Sequence, residues 1–167
     1  MTHTPEEIGE RIVLLLPRLR RFARSLSRNQ HDADDLVQSG IERAWRHLGQ
    51  FKPGANLASW MFGIMKNAWI DSLRTRRRRA EVALPEDSGE HPAVSPVDSS
   101  TELWAVSEAM SKLPEDQRLA IALVLVEGLS YKEASEALEI PMGTLTSRLA
   151  RGRTALAAAL AGNGIPK

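Results

Sequence analysis

The sequence predicts an all-α protein made of two small helical domains joined by a flexible linker. Three observations lead there. First, apolar residues recur at helical spacing through both ends of the chain, with no strand signal of any length and no internal repeat. Second, residues 81–100 read EVALPEDSGEHPAVSPVDSS, with three Pro, one Gly and four Ser; this composition buries too little apolar surface to order itself and reads as a linker. Third, charge is segregated. Residues 1–79 hold 15 basic and 8 acidic side chains, residues 80–112 hold 1 and 7, and residues 113–167 hold 6 of each, so a net charge of +1 conceals a basic front, an acidic middle and a neutral rear.

The 167 residues allow one domain or two very small ones, and the 43% hydrophobic content is ordinary for a soluble fold. No apolar run is long enough to cross a membrane, so membrane insertion is not expected. The absence of cysteine excludes a disulfide scaffold and thiolate metal sites. The first seven residues, MTHTPEE, carry no hydrophobic signal core, so a cytoplasmic location is expected.

The front domain, residues 1–80, reads as three helices. Ile8, Ile12, Leu15, Leu16, Leu19, Phe22 and Leu26 give the first, from about Pro5 to Ser27, with a kink or break expected at Pro17. The second starts near Asp32, whose acidic first turn suits the helix dipole, and carries Leu36, Val37, Ile41, Ala44, Trp45 and Leu48 on one face. Pro53-Gly54 marks a turn, and Asn56 is a plausible N-cap for a third helix reaching Arg79. The rear domain, residues 101–161, reads as four helices. Thr101 to Leu113 is the first; Pro114 opens the second, which Gly128 stops. Ser130 and Glu133 form a capping box for a short helix to about Leu138, and Glu139-Ile140-Pro141 turns into a last helix from about Met142 to Leu160. Short helix, tight turn and second helix make a helix-turn-helix.

On the last helix Leu145, Leu149, Gly152, Leu156 and Leu160 form the packed face, while Thr144, Ser147 and Arg151 project away with Arg148 beside them. Such a helix enters the major groove, where Arg pairs with guanine edges and hydroxyls reach bases or phosphates. The small residues Gly143, Ala150 and Gly152 permit close approach. An ordinary amphipathic helix shares this spacing; the turn and the capping box favour the DNA reader.

In the front domain the third helix ends in Arg74-Thr75-Arg76-Arg77-Arg78-Arg79, more cation than a helix dipole needs. The same helix carries Trp60, Lys66, Asn67 and Trp69, and aromatics interleaved with cations suit unpaired bases. Either Trp alone is more readily a core residue, as Trp45 is expected to be. The carboxylates Asp32, Asp34 and Asp35 lack any accompanying nucleophile or His pattern, so they are not read as catalytic; they suit a basic protein partner.

Two stretches now point to a family. One is Asp32-Ala33-Asp34-Asp35-Leu36-Val37-Gln38 with Glu42-Arg43-Ala44-Trp45 and Phe51-Lys52-Pro53-Gly54. The other is Leu129-Ser130-Tyr131-Lys132-Glu133-Ala134 with Ile140-Pro141-Met142-Gly143-Thr144-Leu145 and Ser147-Arg148-Leu149-Ala150-Arg151. With both, the chain resembles the extracytoplasmic-function (ECF) class of bacterial RNA polymerase sigma factors over about residues 8–160. The resemblance implies that residues 5–80 act as sigma region 2 and residues 100–160 as region 4. It implies core-polymerase binding, on the largest-subunit clamp helices, by Asp34, Asp35, Leu36 and Gln38. It implies minus-10 recognition and melting by Lys52, Asn56, Trp60, Lys66, Asn67, Asp71 and Arg74, with Arg76 and Arg77 in the same basic run. It implies minus-35 recognition by Thr144, Ser147, Arg148 and Arg151, a flap contact on the second-largest subunit, and an anti-sigma factor as a further partner. Promoter DNA is the substrate of recognition, no cofactor or metal is implied, and catalysis belongs to the polymerase rather than to this chain.

The sequence departs from the family at Ser39-Gly40, where a mid-helix Gly costs about 1 kcal/mol against Ala and predicts local softness. Thr146 stands where a basic residue is common. The rival readings are a sigma mimic that sequesters an anti-sigma factor, disfavoured by the intact DNA-facing residues, and a single helix-turn-helix repressor or activator, which would not need the front domain. A metal-dependent hydrolase is improbable with four scattered His and no Cys.

Overall fold

The computed structural model describes residues 3–82 and 101–162, and all the described secondary structure is helical. Residues 83–100, which hold most of the expected linker, lie outside the described residues; Glu81 and Val82 belong to a helix.

Helix α1 (Pro5–Leu26) starts on a capping box between Thr4 and Glu7 and runs through Pro17 without a break. Helix α2 (Gln30–Arg46) starts on Asn29, whose side chain accepts from the His31 amide, two residues earlier than the acidic cluster alone predicts. Asn56 Oδ1 accepts from the Ser59 amide and opens α3 (Leu57–Val82). The rear elements are α4 (Thr101–Ser111), α5 (Glu115–Ile121), which continues as a π-helical turn over Ala122–Val126, α6 (Tyr131–Leu138) and α7 (Met142–Gly162). Gly128 at φ +71° ends the π turn, as a residue without Cβ can do cheaply. Both halves of the Ser130–Glu133 capping box form, and Glu139 at φ 56° makes the left-handed turn into α7.

Gly40 is a packing requirement rather than a soft spot. A Cβ there would lie 2.7 Å from Met65 Cγ, so α2 and α3 approach each other through it. Gly152 plays the same part on α7, where a Cβ would meet Ile121 Cγ1 at 2.9 Å. Its missing side chain therefore serves the interior. Trp45, expected in the core, is 48% exposed, with its indole edge lying over Gly9 of α1.

The buried residues form one continuous cluster, from Ile8 on α1 to Leu149 on α7. Polar contacts join the front and rear as well. Glu127, at the end of the π turn, has a fully buried carboxylate. Arg21 grips it with Nε to Oε1 at 2.8 Å and Nη2 to Oε2 at 3.0 Å, and Arg18 adds Nε to Oε2 at 3.2 Å and Nη2 to the Glu127 carbonyl at 3.0 Å. The bond to Glu127 holds the Arg21 guanidinium above its ordinary pKa. Arg118 crosses in the other direction, donating to the Leu26 carbonyl at 3.1 Å as well as to the carbonyls of Met110, Ser111 and Leu113. Burial lowers its pKa, and Glu115 at 3.0 Å opposes that.

Candidate nucleic-acid interface

Three surfaces carry the residues singled out by the sequence. The first is the outer face of α2. Asp34, Asp35 and Gln38 are exposed there, while Leu36 is buried and fixes the helix against the core rather than presenting itself. Gln38 Nε2 donates to Glu42 one turn on. A groove between this face and α1 is edged by Arg20, Arg24, Asp34 and Gln38, so it carries charge of both signs above Val37 and Ile41.

The second surface runs along α3. Lys52 is exposed in the preceding loop, and Trp60 is half-buried, its ring 5.1 Å from Phe51. Asn67 and Asp71 lie one turn apart and exposed, and Asp71 accepts from Arg43 at 2.8 Å. Arg74, Arg76 and Arg77 are exposed; Arg76 pairs with Asp32 at 2.7 Å and its guanidinium sits 5.9 Å from the Trp69 ring centre. Trp69 is a core residue, as expected for a Trp alone, and its indole N–H donates to Glu115 of α5 at 2.8 Å. Two more residues of this surface are engaged by the rear half. Lys66 is buried, with Nζ 3.5 Å from Glu139, and Asn56 Nδ2 donates to Glu133 at 3.1 Å.

The third surface is the start of α7. Ser147 and Arg151 are exposed one turn apart, Thr144 is half-exposed, and Arg148 is held by Asp116 at 3.5 Å. Thr146 turns its hydroxyl back to the Met142 carbonyl at 2.9 Å, so it is tied to its own helix. Leu145 and Leu149 on the opposite side are buried, so α6, the turn and α7 hold the polar edge outward as the hydrophobic spacing predicts.

Sequence reasoning did not find Arg18, Arg21, Glu127 and Arg118, because their partners lie 92 to 109 residues away and no periodicity marks such pairs. It also did not find Ser59, whose buried hydroxyl has no hydrogen-bond partner and lines the groove between α3 and α6.

A two-domain helical chain with a helix-turn-helix at its rear and a basic, aromatic helix at its front is the architecture of sigma factors. The family description "Sigma-70 region 2" matches residues 12–79 and "Sigma-70, region 4" matches residues 103–156. The chain belongs to the ECF class of the sigma-70 family. It is 37% identical over 155 residues to the ECF RNA polymerase sigma factor EcfG of Rhodopseudomonas palustris, covering 93% of this chain and 86% of that protein. It is 31% identical over 142 residues to the ECF RNA polymerase sigma factor SigM of Bacillus subtilis, covering 83% and 85%. Among solved structures, the sigma factor RpoE in complex with the anti-sigma factor NepR from Bartonella quintana superposes with a TM-score of 0.77 at 35% identity, covering 91% of this chain and 95% of that one. Among the described residues, no helix is long and apolar enough to cross a membrane.

Proposed function

We propose that this ECF sigma factor joins core RNA polymerase to a two-element promoter through the three surfaces described above. The outer face of α2 docks on a basic partner surface of the polymerase, its clamp helices, through Asp34, Asp35 and Gln38. The loop before α3 and α3 itself take the minus-10 strand: Trp60 offers a ring for stacking, Asn67 and Asp71 offer hydrogen-bonding groups, and the Arg74–Arg77 stretch attracts phosphates. Helix α7 reads the minus-35 duplex with Ser147 and Arg151, supported by Thr144 and Arg148. The rear domain also meets the flap of the second-largest subunit, and an anti-sigma factor competes for these surfaces. The polymerase performs the chemistry, and this chain supplies recognition.

The helix-turn-helix carries this reading: a capping box on α6, a left-handed residue at the turn, and exposed Ser147 and Arg151 one turn apart on α7. The two promoter elements lie roughly 25 base pairs apart, about 85 Å at 3.4 Å per pair. A compact chain of this length has a radius of gyration of only about 15 Å, so its halves must separate to touch both elements. The 18 residues of 83–100 can reach at most about 60 Å, which together with the size of each half spans that gap. A run-off transcription assay with the purified chain, bacterial core polymerase and a pool of genomic promoter fragments tests the proposal. Specific transcripts that need both the chain and core support it. A chain that does not bind core moves the mimic and the repressor ahead.

A further inference from the structure

Asp71 is out of place by charge. The other side chains proposed to meet the minus-10 strand are neutral or cationic, and a carboxylate among them repels the phosphates that its neighbours attract. Its two oxygens are used unequally. Oδ2 accepts from Arg43 Nη1 at 2.8 Å. Oδ1 has Arg74 Nη1 at 4.0 Å, within reach for an ion pair but too long for a hydrogen bond. A carboxylate has about four acceptor sites, so Oδ1 keeps its capacity to accept, on a side chain that is 50% exposed.

Arg43 comes from another helix. It sits half-buried in the last turn of α2, next to the fully buried Ala44. Its own carbonyl accepts from the His47 amide at 3.0 Å and lies 2.8 Å from His47 Nδ1. Gly40, one turn earlier, lets α2 approach Met65 of α3 closely and so sets the distance that the guanidinium spans. The Arg43 side chain therefore reaches Asp71 from a fixed backbone. The partner that Asp71 has along its own helix is Arg74, three residues on.

We propose that Arg43 is a positioning residue for minus-10 recognition: it ties down one oxygen of Asp71, leaves the other as an acceptor for a base amino group, and keeps Arg74 available to phosphate. The proposal rests on the assignment of α3 to the minus-10 strand. Adenine, cytosine and guanine each carry an exocyclic amine, whereas thymine offers one N–H flanked by two carbonyls that repel a carboxylate. Asp71 therefore favours an amino-bearing base over thymine at the position it meets. Without Arg43, the carboxylate can close the 4.0 Å gap to Arg74. That one movement withdraws the base acceptor and a phosphate-binding cation together. Both partners of the Arg43–Asp71 pair are partly exposed, so the pair adds little to the stability of the fold and its loss is felt in recognition.

The test uses holoenzyme, the full chain with bacterial core polymerase, on a promoter recovered from the run-off assay. Its minus-10 element is substituted one position at a time with each of the four bases, and transcript yields give a base profile. The wild type should favour an amino-bearing base over thymine about tenfold at one position. Asp71→Ala and Arg43→Ala should both remove most of that preference and keep those at the other positions. Arg43→Lys should restore it, since the contact runs through Nη1 and one ammonium can make it. Asp32→Asn breaks a second α2–α3 ion pair, to Arg76, and should keep the whole profile. Circular dichroism checks the helix content of every variant. A uniform fall in yield with an unchanged Arg43→Ala profile overturns the proposal, and so does equal flattening by Asp32→Asn. Asn67→Ala keeps the proposal apart from the assignment of α3. If Asn67→Ala reshapes the profile and Arg43→Ala does not, the proposal falls and the assignment stands. If Asn67→Ala, Asp71→Ala and Arg43→Ala all leave the profile unchanged, the assignment falls and takes the proposal with it.

Discussion

The two helices proposed to face DNA are treated differently by the rest of the molecule. Helix α3 has the groove proposed to take a single strand roofed by α6, its Lys66 buried and the preceding Asn56 already bonded. Helix α7 buries only Leu145, Leu149 and Gly152 and leaves Ser147 and Arg151 in solvent. The difference follows from the chemistry of the two targets. A duplex reader recognises base edges through a few directional contacts and binds weakly alone. A surface of aromatics and arginines binds any single strand, with little sequence preference, so leaving it open would tie the free chain to non-promoter nucleic acid. Docking on core, through an α2 face that the packing leaves exposed, would separate the halves and uncover α3 where the promoter is already held.

The largest expected effect breaks the fastening between the halves. Arg18→Ala/Arg21→Ala leaves the buried Glu127 carboxylate without its counter-charges, at a cost of about 3–5 kcal/mol if the halves stay closed. The relief is opening, so a lower denaturation midpoint should come with stronger single-strand binding. Weaker stability without a binding gain would show that the fastening does not control α3. Next, Asp35→Arg places like charges across the proposed clamp contact and should lower core affinity by about a hundredfold, roughly 3 kcal/mol. A pull-down checks this, with circular dichroism confirming the fold; an unchanged pull-down removes α2 as the docking face. Arg151→Ala should weaken minus-35-dependent binding by about 1–3 kcal/mol and leave single-strand binding unchanged, as read by footprinting and anisotropy. Loss of both together would erase the distinction between the two helices. Smallest is Ser130→Ala, which removes the α6 cap and should cost about 1 kcal/mol of thermal stability.

Much of the fold was legible because its signals are local. The Ser130–Glu133 box, the Pro53-Gly54 turn, the stop at Gly128 and the periodic apolar faces each depend on neighbours within a few residues, and each formed as read. Pro17 did not break α1. Gly40 could not be understood from α2 alone, since the reason for it is Met65 on another helix. Trp45 lies on the apolar face of its helix by spacing, yet it ends at the surface over Gly9. Of the candidate site residues read from the sequence, Leu36 and Lys66 are buried and Trp60, Thr144 and Arg148 half-buried, while the others lie exposed. What periodicity could not show was the closure of one half on the other, which rests on ion pairs and hydrogen bonds between residues about 70 to 110 positions apart.

The most direct test of the account is the distance between the halves, free and bound to core polymerase. The chain has no native cysteine, so spin labels at Arg46→Cys and Lys132→Cys, both exposed positions, report on it without interference. The account predicts one short distance in the free chain, replaced by a longer one when core binds. An unchanged short distance in a core complex that transcribes would contradict it.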